Sequence, residues 1–362
     1  MLTATSTTTA DRDYDRLREV KQFDESKIGV KGLVDSGLTT IPRFFLQPPE
    51  NLPSPRPTTH KPSISLPVID LSSPRVTLIN QIHAAASTLG FFQITNHGIP
   101  QTLFDSVLGS MKSFHELPSD LKKQYYRRDL SGGAAYSTNF DLYHSKAASW
   151  RDTIQIRMGP NPPEWEYVPE VCRRAVAEWD VEVVRVGEEL MGILSEGLGM
   201  KREKLKELSC LEARVQADHY YPYCPQPDLT LGLGSHTDPG VLTVLVQNEV
   251  VGLQVKCGED WVDVDPLPGA LVINIGDILQ IMSNDEYKSV EHRVLANAFD
   301  APRISVTTFF NPSLRENNYG PLPELISPEK PARYGQVIYS DFMRRFFTKE
   351  LGGKTLTDSY RI

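Results

Sequence analysis

Cysteine is scarce in this chain: Cys172, Cys210, Cys224 and Cys257 are the only four among 362 residues, and no two stand in a CxxC spacing. That pattern excludes a disulfide framework and a cysteine-built zinc site and leaves reduced thiols. Long apolar runs are missing as well. No stretch approaches the roughly 20 residues that span a bilayer, and the opening MLTATSTTTADRDYD lacks the apolar core of a signal peptide. A cytoplasmic protein with no membrane partner is the expectation. Blocks of like charge are absent too: 38 Lys and Arg are interspersed with 46 Asp and Glu for a net charge of −8. Nucleic acid is therefore excluded as a partner. The glycine-bearing SGGAAYS (131–137) lacks the strand–GxxxxGK[ST]–helix context of a phosphate loop, so nucleotide binding is rejected. No heptad seam runs along the chain, so a monomer is expected.

What is present is a substantial apolar complement, 40% of residues, in short periodic runs. Tyr14, Leu17, Val20 and Phe23 recur at three-residue steps and predict a helix over 13–25, with a second short helix ending on Gly37. Six prolines between 46 and 62 forbid regular structure and read as a connecting arm. A strand at 64–72, a helix at 77–90, a strand at 90–99 and a helix beginning near 100 follow. Between 169 and 199, Val176, Trp179, Val183, Val186, Leu190 and Leu194 form the clearest helical stripe, stopped by Gly197 and Gly199. It should brace the outside of the core. The runs LTVLVQ (242–247), GLQVK (252–256), WVDV (261–264) and ALVINI (270–275) are short, β-branched and bounded by turn residues, which predicts an antiparallel sandwich or barrel. Residues 334–352, with Ile338, Phe342, Phe346 and Phe347 on one side, predict a C-terminal helix over its mouth or face.

The candidate chemistry sits between 219 and 310. His236 and Asp238 form a His-x-Asp pair, His292 follows 56 residues later, and Arg303 and Ser305 lie 11 and 13 beyond that. Residues two apart on a strand share a face, so His236 and Asp238 can meet at one metal while Thr237 faces away, with His292 supplied by another strand. Two imidazoles and one carboxylate hold Fe(II) on one face and leave the opposite positions open. Arg303 offers a planar fork for a carboxylate, and Ser305 on the same face adds a hydroxyl. Zinc on the same ligands would activate water, but would leave Arg303 and Ser305 without a task. Phe309 shares their parity and should face the cavity, where its ring can stack on a substrate. His60 lies in the proline-rich arm, His83 and His115 on helices and His97 in a turn, where structural roles are expected.

The blocks YYPYCPQPDLTLGLGSHTDPG and SVEHRVLAN resemble those of plant 2-oxoglutarate/Fe(II)-dependent dioxygenases. Within that superfamily, DYDRLREVKQFDESKIGVKGLVDSGLTTIP resembles the 1-aminocyclopropane-1-carboxylate oxidase homologues, and the similarity runs from about Asp13 to about Leu351. The resemblance implies a mainly β fold with flanking helices: a double-stranded β-helix (jelly-roll, cupin-like) core braced by the long helix and by N- and C-terminal helices. The organisation it suggests is N-terminal helices and arm over 1–62, an N-terminal dioxygenase region over 63–210, the core over 211–315, and a C-terminal helix and tail over 316–362. It makes His236, Asp238 and His292 the iron ligands, and it assigns Arg303 and Ser305, with Tyr221 as a further donor, to the distal carboxylate of 2-oxoglutarate. His219 stands where many members have Asn beside the 2-oxo end, and is either a support for that end or structural. Phe140, Tyr143, Thr153 and Gln155 come from the loop and strand that line the family's substrate pocket, or are ordinary core. The implied activity couples decarboxylation of 2-oxoglutarate to succinate and CO2, with O2 consumed and ascorbate as reductant, to hydroxylation, demethylation or desaturation of a small plant-type specialised metabolite. Two alternatives stand beside it. One is an ascorbate-dependent aminocyclopropane-carboxylate oxidase, although those enzymes carry a lysine where this chain has Ala217. The other is a non-catalytic ligand-binding protein on the same barrel, against which the intact triad argues.

Overall fold

The computed structural model describes residues 14–53, 65–348 and 355–362. The outer part of the proline-rich arm, the first thirteen residues and the end of the expected C-terminal helix lie outside the described residues. Four strands come from the first half of the chain: β1 (Val68–Asp70), β2 (Phe91–Thr95), β3 (Ala134–Ser137) and β4 (Asp152–Arg157). Eight more follow: β5 (Ala213–Tyr221), β6 (Leu231–His236), β7 (Leu242–Gln247), β8 (Leu253–Cys257), β9 (Asp260–Asp263), β10 (Leu271–Ile275), β11 (His292–Leu295) and β12 (Arg303–Asn311). The large sheet runs β1-β2-β10-β7-β12-β5-β4-β3 and the small one β6-β11-β8-β9. This is the mainly β, helix-flanked jelly roll. The strands from the first half extend both edges of the large sheet, so one sheet runs across the 210/211 boundary. No helix among the described residues is long and apolar enough to cross a membrane.

Strand periodicity sorts the residues between two environments. On β12 the odd positions Arg303, Ser305, Thr307 and Phe309 line the cavity between the sheets. The even positions Ile304, Val306 and Phe310 join the core beneath the helices. The long helix Glu170–Gly197 packs there as expected: Phe310 sits where a Cβ on Gly187 would come within 2.7 Å of its ring, and Trp179 Nε1 donates to Thr308 Oγ1 at 3.1 Å. That contact explains the glycine inside a helix.

The N-terminal segment is tied to the helix-facing side of the large sheet near its β4 edge. At the start of the short helix Gly29–Asp35, the amides of Val30 and Lys31 donate to the two carboxylate oxygens of Asp152 at 2.8 and 2.9 Å. Gly29 has φ +69°, and a Cβ there would stand 2.6 Å from the same carboxylate. Glycine is required at that approach. Asp24, on helix Arg16–Ser26, accepts from Tyr126, Tyr143 and Arg128 at 2.6, 2.8 and 2.7 Å and clamps the 126–143 loop.

Two elements differ from expectation. Val337–Ile338 pair with Asn318–Tyr319 as a short ribbon, so the C-terminal helix begins only at Tyr339, because the backbone groups of 337 and 338 are taken by strand partners. Asp277–Met282 is a helix that the sequence reading missed; all six residues are buried, so no apolar–polar alternation marks it.

Asp218 yields a pH prediction. It lies on the outer, helix-facing side of β5, fully buried, and burial pushes its carboxyl up to about 8, although the Gln216 amide, donating at 2.9 and 3.1 Å, pulls the other way. A folded-state value above the unfolded one means the native protein holds this proton more tightly, so stability is lost as pH rises from about 4 to about 8. Asp218→Asn removes that dependence. Its stability advantage over the parent is expected to grow by on the order of 2–4 kcal/mol between pH 5 and pH 8, read by denaturant unfolding at both. A difference that does not change with pH refutes the assignment.

Candidate active site

The small sheet ends where the chemistry begins. His236 is the last residue of β6 and His292 the first of β11, and the two are direct cross-strand partners with ring centroids 4.2 Å apart. The expectation placed Asp238 on the same strand as His236. The strand instead stops at His236, and Asp238 reaches the same point from the turn that follows, its carbonyl accepting from the Asp277 amide at 2.8 Å. Thr237 turns away and donates to Asp277 Oδ2 at 3.0 Å. Asp238 Oδ1 lies 3.6 Å from each Nε2, and the three candidate ligand atoms all fall within 4.8 Å of one another.

Every other atom of the trio is occupied. His236 Nδ1 donates to Gly234 O at 2.9 Å and His292 Nδ1 to Val290 O at 3.3 Å. Both rings therefore turn Nε2 inward. Asp238 Oδ2 accepts from Thr243 Oγ1 at 2.6 Å and Asn274 Nδ2 at 2.7 Å, which leaves Oδ1 for the shared point. Burial and the neighbouring His292 hold His236 well below the ordinary histidine range. Burial alone would raise the Asp238 carboxyl, but His292, His236 and its two hydrogen bonds keep it low, hence ionised. Two imidazoles and an anionic oxygen are the donors a ferrous ion takes, with room left for further ligands.

Across the cavity, the β12–β5 register sets Arg303 beside Tyr221 and Ser305 beside His219. Arg303 is 1% exposed; its Nη2 donates to Gln247 Oε1 at 2.7 Å, and the guanidinium lies 5.0 Å from the Tyr221 ring centre. Its Nε and Nη1 are buried without a partner. Orphaned donors on a buried cation are costly unless an anion comes to them, and the distal carboxylate of 2-oxoglutarate has the right form.

His219 is neutral, since burial first and then Arg151 and Arg303 depress its pKa well below the usual value. Its Nδ1 meets Thr153 Oγ1 at 3.0 Å and Arg151 Nη1 at 3.2 Å. The same Nη1 also reaches Nε2 at 3.5 Å, so the guanidinium faces both ring nitrogens.

The cavity has about 1070 Å³ of empty space, counting the solvent at its mouth. Phe140, Gln155 and Phe309 stand on its wall together with His219, Tyr221 and Ser305. Met343, Phe346 and Phe347 of the helix Tyr339–Thr348 close the mouth, and Phe347 meets Phe140 edge-on at 5.6 Å. Tyr143 and Thr153 are not among the residues that line the cavity: the Tyr143 phenol donates to Asp24, and the Thr153 hydroxyl contacts His219. Sequence reasoning missed Thr243, Asn274, Gln247 and Arg151. A polar Asn in the middle of ALVINI and a charge in SWRDT ahead of a strand were the available signals.

Matches to known proteins agree with this geometry. Residues 213–312 match the model of the 2OG-Fe(II) oxygenase superfamily, and residues 66–173 that of the non-haem dioxygenase in morphine synthesis N-terminal region. The 1-aminocyclopropane-1-carboxylate oxidase homolog 6 of Arabidopsis thaliana is 42% identical over 97% of this chain and 99% of its own. The chain belongs to the 2-oxoglutarate/Fe(II)-dependent oxygenase superfamily. Another relative of this oxygenase, the deacetoxyvindoline 4-hydroxylase of Catharanthus roseus, is 42% identical over 97% of the chain and 90% of its own. The crystal structure of JOX2 in complex with 2OG, Fe and JA superposes with a TM-score of 0.83 at 31% identity, covering 92% of this chain and 97% of that one. The protein is thus an oxidoreductase that uses Fe(II) and 2-oxoglutarate.

Proposed function

We propose that this oxygenase oxidises a small, largely apolar specialised metabolite of plant type, with hydroxylation as the basic outcome. In this reading His236, Asp238 and His292 hold the iron, and Arg303, Ser305 and Tyr221 bind the distal carboxylate of 2-oxoglutarate. His219 stands beside the 2-oxo end. When bound, ferrous iron supplies the dioxygen and one-electron chemistry that the side chains lack. The protein's share is to hold three ligand atoms in place through Thr243, Asn274 and two backbone carbonyls, to fix the acid at the other end, and to seat the substrate. Phe140, Phe309 and Gln155 serve that seat. The observation that carries the reading is one cavity that holds both the three-donor cluster and an arginine with orphaned N–H groups.

Ala217 stands on the cavity wall, so no ammonium is available there for an aminocyclopropane carboxylate, and the ethylene-forming alternative loses its anchor. The four cysteines are free thiols, in keeping with a cytosolic protein. The test incubates the protein with Fe(II), 2-oxoglutarate, ascorbate and a plant extract, and follows succinate and small molecules by mass spectrometry. Succinate release accompanied by a product that has gained one oxygen, lost a methylene or lost two hydrogens is expected. No iron-dependent succinate in any extract would refute the reading.

A further inference from the structure

A second buried arginine on the cavity wall has no task in the scheme above. Arg151 directly precedes β4, is 4% exposed and lines the same cavity as the three-donor cluster. Among the described residues its side-chain hydrogen bonds run to the His219 imidazole alone, and its Nε is buried without a partner. No carboxylate among the described residues forms an ion pair with it. Asp141 is the acidic group that feels its charge, at longer range, and burial raises that carboxyl while Arg151 pulls it down. Because a guanidinium does not shed its proton, the charge persists. An uncompensated buried cation facing a cavity is a place for an anion.

The co-substrate does not need it. A ferrous ion, the Asp238 carboxylate, the Arg303 guanidinium and a doubly charged 2-oxoglutarate neutralise one another, and the imidazoles of His236 and His219 are neutral. Arg151 leaves one positive charge over. Its strand is separated from that of Arg303 by β5, so the two cations address different parts of the cavity. The rest of the outer wall is apolar and aromatic, with Phe140, Phe309, Phe346 and Phe347 around the mouth.

We propose that Arg151 is a substrate-recognition residue that binds a carboxylate, or an equally charged oxyanion, on an otherwise apolar primary substrate. This proposal rests on the oxygenase reading, and its test separates the two.

The protein is loaded with Mn(II), and 2-oxoglutarate binding is measured first by calorimetry. The naphthyl acid 2-naphthylacetate and its methyl ester are then titrated with and without 2-oxoglutarate. The acid is expected to bind the parent at least about tenfold more tightly than the ester, as one charged hydrogen bond would give. In Arg151→Gln that preference is expected to disappear while the Kd for 2-oxoglutarate moves less than about twofold; Arg151→Lys, which keeps the charge, retains part of the preference. Acid and ester binding alike, neither binding the parent, a preference that survives in Arg151→Gln, or a parallel loss of 2-oxoglutarate affinity would each overturn the proposal. A parent that fails to bind 2-oxoglutarate refutes the co-substrate assignment instead, and the acid–ester comparison still decides the role of Arg151.

Discussion

Asp238→Ala is expected to abolish iron-dependent succinate release and to cut iron binding by more than about a hundredfold, beyond the 10–100-fold cost of losing a supporting hydrogen bond in such sites. The reason lies in the division of labour at the cluster. Asp238 Oδ1 is the only anionic ligand atom in it, and its second oxygen is already held by Thr243 and Asn274. Without it a doubly charged cation meets two neutral imidazoles in a buried pocket, and nothing offsets the desolvation of the ion. The substitution also leaves Thr243 Oγ1 and Asn274 Nδ2 without their acceptor. Metal content after gel filtration and succinate by mass spectrometry read the two effects separately, and circular dichroism shows whether the fold survives. A variant that turns over at a tenth of the parental rate, or retains stoichiometric iron, removes Asp238 from the ligand set.

The site was legible in outline because its members are marked by residue type and parity. Histidine and aspartate two apart, and Arg303, Ser305 and Phe309 on one parity of a strand, are patterns that the backbone geometry turns into a shared cavity with little help from elsewhere. The long helix was legible for the same reason, since its stripe faces one sheet. What stayed hidden depends on contacts between distant segments. Tyr143 looks like a pocket aromatic until Asp24, 119 residues earlier, claims its hydroxyl. Thr153 is set beside His219 only by the β4–β5 register. Asn274 sits in a run read as apolar core, and its function appears once β10 is paired with β7, which carries Thr243. The helix Asp277–Met282 has no exposed face, so periodicity had nothing to report. Sequence alone also carried Asp238 one residue pair too far along a strand, because nothing in HTDPG fixes where the β conformation ends, although the proline and glycine mark a turn nearby.

Arg303→Gln is expected to raise the Kd for 2-oxoglutarate at least about thirtyfold, the lower end of the roughly 2–5 kcal/mol lost when a buried charged hydrogen-bond pair is broken. The guanidinium plane is fixed on one side by Gln247 and lies 5.0 Å from the Tyr221 ring centre, so Nε and Nη1 are presented as a preset pair of donors. Arg303→Lys keeps a charge but not the fork, and falls between parent and Gln. Ser305→Ala removes a single neutral donor and should cost about tenfold or less. Because this acid-binding end lies across the cavity from the metal cluster, succinate release by Arg303→Gln should recover when 2-oxoglutarate is raised, whereas Asp238→Ala should not. Folding provides an independent check on cause. In the ligand-free protein Arg303 is a buried cation with unsatisfied N–H groups, so its replacement by glutamine removes a penalty, and the variant should unfold at the same denaturant concentration as the parent or a higher one. Calorimetry with Mn(II) and denaturant titration together decide the matter: unchanged 2-oxoglutarate affinity would detach Arg303 from the co-substrate, and a large loss of stability would mean that its charge is satisfied within the protein.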